Sequence, residues 1–470
     1  QTSTMKSRTM ARVYLDNNAT TPVLPEVLEA MRPYFGERFG NASSIHSHGQ
    51  QTRAAVERAR ESVAALIGAR ASEIVFTSGG TEADNLAVFG VLGGIGQRSA
   101  VRVVGKDGHR SPVSVQRESV GANHIITSTV EHHAVLNACR HLESAGCDVT
   151  YVPVDERGLV DPEDVRRALR PSTRLISIMM ANNETGMVQP VAEIRAIARE
   201  AGVYFHTDAV QAAGKIPVNV EEIGCDLLTI SAHKLHGPQG VGALYVRKGT
   251  EIAAQMYGGR HERSRRAGTE NVPGIVGLGA AAEAALAGFA RGDDLKMAEM
   301  RDRLESGLLA IEACGVNGAG THPSQSTRRM GHPLGSGENA GSRETTDSGE
   351  NSDGYSFPSR VPNTSNIYFD GIDGEALVIA LDLKGLAVST GAACSSGAVE
   401  PSHVLMAMGM GAERARGSIR FSLGKMNSAE DVEFASRVVP EMVGRLRELS
   451  PVWRGASSYE LRASSSGPKG

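Results

Sequence analysis

The feature that most constrains the fold is an alternation of short apolar runs with amphipathic stretches between about residues 55 and 310. The short runs are rich in β-branched residues and bounded by turn residues, so they predict strands. The stretch 190–202 between two of them places apolar residues at helical spacing and ends in glycine, as helices do. This order is typical of βαβ units around a mostly parallel sheet. Strands are predicted at 73–77, 124–129, 174–181, 203–207, 227–231 and 241–246.

Two stretches interrupt this alternation. Residues 91–122 predict a long surface excursion. Residues 318–360 are rich in Gly, Ser, Pro, Asn and Thr and contain almost no large apolar residues, so we predict a disordered insert there. The segments after this insert predict a smaller α/β domain, preceded in the chain by a long helix over 280–313.

Composition and charge argue against several classes of protein. Hydrophobic residues make up 40% and charged residues 22% of the 470 residues, which is ordinary for a soluble globular chain. The formal net charge of −4 provides no basic field for nucleic acid. No apolar run is seen that approaches the roughly 18 to 20 residues of a membrane span, and the N-terminus lacks a signal-peptide core. We expect a cytoplasmic protein, and the basic, Ser/Thr-rich residues 1–15 leave an organellar presequence open.

Polar clusters follow the carboxyl ends of five predicted strands. In doubly wound sheets this edge is where ligands bind. One such cluster alone would be explained by turn chemistry, whereas five together predict a site. The clusters read SGGTEADN, STVEHHAV, ANNETG, HTDAVQ and SAHKLHGPQG.

Three of these clusters carry complementary chemistry. Lys234 enters a glycine turn from an apolar strand, and burial would lower its pKa and make a nucleophilic amine. Asp208 at a strand end needs a cation partner, either an arginine or a protonated ring nitrogen. Gly79, Gly80 and Thr81 open a helix whose N-terminus can hold a phosphate, although a plain helix cap explains the same residues. A Schiff-base lysine, a carboxylate for a ring nitrogen and a phosphate cup are together what pyridoxal phosphate requires.

The histidines allow more than one interpretation. His132 could stack on a cofactor ring and transfer protons, or it could simply begin a helix. The pairs His132/His133 and His46/His48 lack a third ligand at metal-site spacing, so no structural metal is expected.

The five cysteines are odd in number and form no CxxC pair, which argues against a disulfide framework or a zinc ribbon. Cys225 and Cys314 lie in apolar surroundings typical of structural cysteines. Cys394 instead lies among Gly, Ser and Ala residues. A thiol in such a loop suits a nucleophile that receives a covalent adduct and passes it on.

With these residues in view, the chain resembles the pyridoxal-phosphate-dependent cysteine desulfurases of the NifS/IscS type, which are class V aminotransferases. The resemblance covers nearly the whole chain and implies the fold of aspartate aminotransferase, fold type I. It implies an N-terminal segment 1–30 packing with the small domain, a large cofactor-binding domain 31–280, and a small domain 281–470 that carries the Cys394 loop. Besides the clusters above, the matching motifs are VYLDNNATTP, GNASSIHSHG, RRAGTEN, RVPNTSNI, EPSH and RFSLG.

The resemblance implies a role for each site residue. Lys234 would hold the cofactor, Asp208 would face its pyridine nitrogen and His132 would stack on its ring. Cys394 would take the sulfur of L-cysteine as a persulfide, leave L-alanine, and pass the sulfur to an iron–sulfur scaffold or another acceptor. The same cysteine could serve as a transient iron–sulfur ligand. The remaining residues would be Asn183 and Gln211 at the ring hydroxyl, Gly80, Thr81, Ser231 and His233 at the phosphate, Thr269 from the second subunit of a homodimer, and Arg420 with Asn183 at the substrate.

The loop around the cysteine departs from the family's usual Ser-Ser-Gly-Ser-Ala-Cys. It reads Ser389-Thr390-Gly391-Ala392-Ala393-Cys394, which is similar to selenocysteine lyases. These lyases also have an insertion resembling residues 91–122, so release of selenide and alanine from selenocysteine is an alternative function. EPSH and RRAGTEN favour the desulfurases. A non-catalytic assembly partner is a third hypothesis, although every position that the chemistry needs is present.

Overall fold

The computed structural model describes residues 12–97, 123–318, 357–391, 400–450 and 453. Within these ranges a large unit surrounds a seven-stranded sheet and a small unit surrounds a three-stranded sheet. Strand β1 (Val13–Tyr14) pairs in parallel with β11 (Leu386–Ala387), so the N-terminal segment lies against the small unit before it enters the large one.

The sheet of the large unit is mostly parallel, as predicted. Its spatial order is β2-β8-β7-β6-β5-β3-β4, and among these described strands β8 alone runs antiparallel to its neighbours. All six predicted runs form strands, while the alternating segment of β4 was not predicted. The strands are β2 (Ile74–Thr77), β3 (His124–Ser128), β4 (Asp148–Val152), β5 (Thr173–Ser177), β6 (Tyr204–Asp208), β7 (Leu227–Ser231) and β8 (Gly242–Val246).

Helices cover the two faces of this sheet. The predicted helix over 190–202 is confirmed as α6, and it ends at Gly202 in the left-handed conformation, with φ of 66°. The start of the surface excursion predicted over 91–122 is wrong, because α3 continues to Gln97 and buries Val91 and Leu92. The rest of that stretch, residues 98–122, lies outside the described ranges. The helices are α1 (Pro25–Met31), α2 (Ser47–Leu66), α3 (Gly80–Gln97), α4 (His133–Ser144), α5 (Pro162–Ala168), α6 (Val191–Ala201), α7 (Val220–Ile223) and α8 (Val272–Ala290).

The long helix predicted over 280–313 is two helices. Helix α8 ends at Ala290 and α9 (Asp293–Leu308) begins after Gly292, whose φ of 69° a helix interior does not allow. Ala281 and Ala285 of α8 belong to the core of the large unit, whereas Leu304 of α9 belongs to the core of the small unit. The change from one core to the other therefore falls at the break between the helices.

Helix α8 also corrects the expectation that no apolar run reaches the length of a membrane span. By length and composition alone, this helix of 19 residues is long and apolar enough to cross a membrane. More than half of the helix is buried in the protein, where Ile275 and Leu278 belong to the large core. Its apolar character is explained by packing within the large unit.

The small unit packs helices on an antiparallel sheet. The spatial order of its strands is β12-β10-β9, and large apolar side chains such as Phe369 and Phe421 form its core. Most of the insert predicted over 318–360 lies outside the described ranges, namely residues 319–356. Arg360 at its end forms a buried bidentate ion pair with Glu305, at 2.6 and 2.7 Å. The elements are β9 (Cys314–Val316), β10 (Thr364–Phe369), α10 (Gly374–Leu383), α11 (His403–Ala407), α12 (Ala412–Arg416), β12 (Ser418–Ser422) and α13 (Ala429–Leu449).

Candidate active site

The carboxyl ends of β6 and β7 bring two of the expected site residues to one edge of the sheet. Asp208 is the last residue of β6, and Ser231 is the last residue of its neighbour β7. A 3-10 helix, Ala232–Lys234, follows β7 directly and carries His233 and Lys234 away from this edge. Strand register therefore fixes the spacing between the carboxylate and the lysine.

The Lys234 amine is held by main-chain carbonyls of the N-terminal segment. Its Nζ donates to Asn18 O at 2.6 Å and to Ala19 O at 2.8 Å. Burial and the nearby Arg420 charge lower the pKa of Lys234 to about 8, against the opposing effect of Asp208. About a tenth of the amine is therefore neutral at pH 7 and about half at pH 8, and the neutral form is the one that a nucleophile and proton acceptor needs.

The Asp208 carboxylate is buried and 5% exposed. Its Oδ1 accepts a hydrogen bond from Val210 N at 2.9 Å, and burial raises its pKa to about 6. A buried carboxylate with a raised pKa gains strongly from a cation placed against it. A protonated ring nitrogen would be such a partner.

Near Asp208 lie two buried titratable groups that the sequence did not single out, Asp84 and His206. Asp84 of α3 is 1% exposed, and its Oδ1 lies 3.7 Å from Nε2 of His206 on β6. Burial and the Asp208 charge raise the pKa of Asp84, and burial lowers the pKa of His206 to about 3. The imidazole is therefore neutral and the carboxylates compete for protons, which limits how much negative charge the interior holds.

His132 begins a helix, as one of its two interpretations predicted, and its stacking on a cofactor stays a prediction. It caps α4, where its Nδ1 accepts from Ala134 N at 3.1 Å. Part of the residue's surface stays exposed to solvent. Burial of the ring atoms, followed by the Lys234 charge, lowers its pKa to about 4, so the ring is neutral and Nε2 carries its proton.

Asn18 accepts hydrogen bonds from three side chains of the site. In the sequence it was noticed only as part of the motif VYLDNNATTP. Besides accepting from Lys234, its backbone O accepts from Gln211 Nε2 at 3.0 Å. Its Oδ1 accepts from Lys215 Nζ at 2.8 Å, and Lys215 also donates to Gln211 Oε1. The spacing of Gln211 and Lys215 by four residues was the available signal for this link.

Arg420 joins the small unit to the same site. From β12 its Nη2 donates to Asp16 Oδ1 at 2.8 Å, and its Nη1 donates to Asn183 O at 3.0 Å. Its Nε is buried and has no partner among the described residues. A buried guanidinium with an unused donor fits the binding of a carboxylate.

The N-terminus of α3 offers a narrow cradle at the edge of the sheet. A Cβ on Gly80 would lie 3.0 Å from Cγ2 of Val210 and 3.5 Å from Cβ of Ser231, so a glycine allows this close approach. Thr81 is exposed at the first turn of α3. The backbone N–H groups there suit an anion such as phosphate.

His233 and Thr269 were expected at the same phosphate. His233 Nδ1 contacts Thr20 Oγ1 at 3.2 Å, and burial lowers the pKa of His233 to about 4. Thr269 lines a pocket of its own chain together with Ser78 and Arg266, beside the start of α3. Cys394 lies within residues 392–399, which are outside the described ranges.

Comparison with known proteins identifies the family. The model of the family Aminotransferase class-V matches residues 13–119, 112–331 and 345–434. The chain is 46% identical over 440 residues to Cysteine desulfurase IscS of Methanosarcina thermophila, with 94% of each chain covered. It is 45% identical over 439 residues to Cysteine desulfurase IscS of Dictyoglomus turgidum, with 93% of this chain and 96% of that protein covered.

The chain belongs to the cysteine desulfurases of the class V aminotransferase family. A solved structure described as a NifS-like protein superposes on this desulfurase-family chain with a TM-score of 0.74 and 34% identity, covering 93% of this chain and 100% of that one. The predicted resemblance and fold type are confirmed.

As in other members of the class V aminotransferase family, the cofactor is pyridoxal phosphate. The residues present fit this group, because Asp208 offers a buried carboxylate, Gly80 provides a cradle without Cβ, and the Arg420 Nε is a buried donor that no described residue uses. Lys234, with a pKa of about 8, would supply the amine.

Proposed function

We propose that this protein converts L-cysteine to L-alanine and takes the sulfur as a persulfide on Cys394. The observation that carries the proposal is the setting of Lys234. Its amine has a pKa lowered to about 8, and after burial the charges of the Arg420 guanidinium and the Asp208 carboxylate have the largest effects on this pKa. Asp208, proposed for the cofactor, and Arg420, proposed for the substrate carboxylate, thus both lie close enough to Lys234 to change its pKa.

Each end of the cofactor has a set of residues on this chain to hold it. Asp208 would face the ring nitrogen, and the His132 ring would cover one face. Pyridoxal phosphate, when bound, supplies an electron sink that weakens bonds at the substrate α-carbon. We assign Asn183 and Gln211 to the ring hydroxyl, and Gly80, Thr81, Ser231 and His233 to the phosphate.

The substrate is oriented by the boundary between the two units. Arg420 would bind the carboxylate of cysteine through its fork, with Asn183 beside it. Lys234 Nζ, neutral in a substantial fraction of molecules near pH 8, accepts the proton from the α-carbon. We assign the cofactor to the large domain and the thiol loop to the small domain. The sequence placed their boundary between 280 and 281, whereas Ala281 and Ala285 of α8 pack in the core of the large unit.

The sulfur leaves the substrate by attack of the Cys394 thiolate. A sulfur–sulfur bond forms on Cys394, the carbon–sulfur bond of the substrate breaks, and its electron pair stays with the carbon skeleton, which takes up protons to become alanine. Cysteine and one enzyme thiol thus yield alanine and one enzyme persulfide, and no external oxidant or reductant is needed. The persulfide sulfur then passes to an acceptor, for which we propose an iron–sulfur scaffold protein or another sulfur acceptor.

We propose that the protein acts as a homodimer in which Thr269 of a second copy completes the phosphate site. Three large apolar side chains are strongly exposed near this segment: Phe39 at 71%, Ile45 at 90% and Tyr257 at 78%. The loop of Phe39 and Ile45 is tied to the Thr269 segment by Ser43 Oγ, 3.2 Å from His261 Nε2. Covering such a patch in a second copy would remove apolar surface from water.

We place the enzyme in the cytoplasm. The four cysteines within the described ranges, Cys139, Cys147, Cys225 and Cys314, are all free thiols. Free thiols of this kind fit a reducing compartment.

The experiment that tests the proposed function uses the purified, cofactor-loaded protein. With L-cysteine and a reducing thiol, wild type should release alanine and sulfide in equal amounts. Cys394→Ser should lose sulfide release by at least about 10³-fold, since the nucleophile is removed. Sulfide release that survives unchanged in Cys394→Ser would refute the persulfide.

Selenocysteine lyase is the second candidate because of the Gly391-Ala392-Ala393-Cys394 sequence of the loop. The ratio of kcat/KM for L-cysteine to that for L-selenocysteine, measured on one preparation, decides between the two functions. A desulfurase should turn over both amino acids, whereas a selenocysteine-specific lyase should discriminate against cysteine by several orders of magnitude.

A further inference from the structure

Glu184 is a buried carboxyl group beside the site that neither the fold nor the cofactor explains. It follows Asn183 and is 2% exposed. Its Oε2 accepts a hydrogen bond from Ser402 Oγ at 2.5 Å. Ser402 also caps α11, because its Oγ accepts from Leu405 N at 3.2 Å. The start of α11 is therefore held to the segment that carries Asn183.

The same carboxylate oxygen leaves no room for a side chain at a second position in the small unit, Gly391. Gly391 has φ of 84°, and a Cβ built on it would lie 3.0 Å from Glu184 Oε2 and 3.3 Å from both Cδ and Cγ. A side chain there would be strained by the backbone conformation and crowded by the carboxyl group. Glycine at this position thus allows the main chain to lie directly on Glu184.

Glu184 itself has little freedom to move. Its backbone N donates to Asn182 Oδ1 at 2.9 Å, and its backbone O accepts from Asn366 Nδ2 at 3.2 Å. Burial raises the pKa of its carboxyl group, and the Ser402 hydrogen bond opposes this rise. The carboxyl group is consequently a fixed point with contacts to both Gly391 and Ser402.

Further contacts hold the chain on each side of these two residues. Ser389 forms a β-bridge with Arg420, with Arg420 N donating to Ser389 O at 2.6 Å. On the other side, His403 Nε2 lies 3.0 Å from Glu131 O. The described chain is thus fixed at both places where it meets residues 392–399.

We propose that Glu184 is a positioning residue for the Cys394 thiol, because one of its oxygens accepts from Ser402 after the segment that carries this cysteine and lies close beside Gly391 before it. The proposal rests on the proposed function of Cys394 as sulfur acceptor. Glu184 acts through Gly391 and Ser402 rather than on the substrate. Its removal should therefore slow the sulfur-transfer step while leaving cysteine binding at Arg420 nearly unchanged.

The test is a double-mutant cycle in the cofactor-loaded enzyme with Glu184→Ala, Ser402→Ala and the double variant. Glu184→Gln is the conservative variant, because its amide oxygen can still accept from Ser402. Ser428→Ala is the matched control, since Ser428 caps α13 in the same way but makes no contact with Glu184. Three quantities are measured: kcat, KM for cysteine, and the rate of Cys394 alkylation by iodoacetamide without substrate, followed by peptide mass spectrometry with Cys139 and Cys225 as buried references.

We expect kcat to fall by about 10- to 100-fold in Glu184→Ala and in Ser402→Ala, because misplacing a reacting group by about 1 Å has effects of this size. KM should stay within about twofold of wild type. The rate of Cys394 alkylation should change in both variants, and the double variant should resemble either single one, since the two residues act through one contact. Glu184→Gln and Ser428→Ala should behave like wild type.

Alkylation rates equal to wild type in Glu184→Ala would overturn the proposal, and so would effects of the two substitutions that simply add. The alkylation measurement needs no turnover, so it is independent of the proposed function. Failure of the wild-type protein to form alanine would refute the desulfurase activity and leave the alkylation result interpretable.

Discussion

The two sides of the site are built in different ways. On the sheet side, Asp208 and Lys234 follow neighbouring strands, and pairing of β6 with β7 fixes their spacing. On the boundary side, Arg420 binds Asp16, which is 404 residues away in the chain, and Lys234 binds Asn18, which is 216 residues away. The first arrangement needs only the sheet, whereas the second exists only when both units and the N-terminal segment are closed together. The proposed cofactor chemistry thus lies on the sheet side, and the proposed substrate binding lies at the boundary.

The largest effect is expected on the sheet side, from Lys234→Ala. Loss of the amine removes both the attachment point of the cofactor and the proton acceptor, so kcat should fall by more than about 10³-fold. The exposed Lys248→Ala is the control and should retain wild-type activity. Alanine release and the visible absorbance of the bound cofactor measure the two losses separately. Activity within tenfold of wild type in Lys234→Ala would remove the lysine from the mechanism.

A boundary substitution should separate binding from catalysis. Arg420→Lys keeps the positive charge but loses the fork that contacts Asp16 and Asn183. A charge-assisted hydrogen bond contributes about 1.5–3 kcal/mol, so KM for cysteine should rise by about 10- to 100-fold. The cofactor absorbance should not change, because the sheet side is intact. An unchanged KM would place the substrate carboxylate elsewhere.

The pH dependence of stability should also differ between the two sides. At the boundary, His236 Nδ1 contacts Pro22 O at 2.9 Å and its Nε2 accepts from Lys425 N at 3.1 Å, so this imidazole joins the two units. Burial lowers its pKa from 6.5 to about 4. The unfolded chain therefore takes up a proton on this ring before the folded protein does, and its contribution to stability is lost as the pH falls from about 6.5 to about 4.

Replacing His236 by Gln should flatten this part of the stability curve. Between pH 7 and pH 4.5 the free energy of unfolding should fall less in the variant than in wild type, by on the order of 1–3 kcal/mol. Urea unfolding of both proteins at the two pH values measures the difference. Parallel curves would show that His236 does not titrate with folding.

A smaller effect is expected from Lys215→Met on the network around Asn18. The buried Lys215 Nζ donates to Asn18 Oδ1 at 2.8 Å and orients the Gln211 amide. Methionine has a similar length and is easily buried, so the fold should persist while kcat falls by about tenfold through misplacement of Gln211. The matched control Lys296→Met lies on the exposed surface of α9 and should show no change. Equal activity of both variants would exclude Lys215 from the site.

The sequence predicted the sheet side well for a physical reason. Strand runs such as 227–231 are short, apolar and followed by polar residues, so the positions of Asp208, Ser231 and Lys234 follow from local pattern alone. Edge strand β4 was missed because four of its five residues are exposed or only half-buried and carry no clear apolar run. The break at Gly292 was missed because stretches rich in Ala, Leu, Met and Glu, which are good helix formers, lie before and after the short sequence that contains it.

The boundary side was less predictable. Asn18, Lys215 and Glu184 are ordinary polar residues in the sequence, and their importance arises from contacts that form only in the closed fold. Arg420 was assigned through the resemblance alone, since nothing in its strand indicates that its Nε is left unpaired. Local patterns predict elements, whereas contacts over hundreds of residues require the structure.

The most direct test of the account is a single turnover of the cofactor-loaded enzyme with a limiting amount of L-cysteine and no reducing thiol. The account predicts one alanine for each cysteine consumed and one added sulfur atom on the peptide that contains Cys394. Cys394→Ser should form neither product at a comparable rate. Alanine formed by wild type without sulfur on Cys394 would contradict the account.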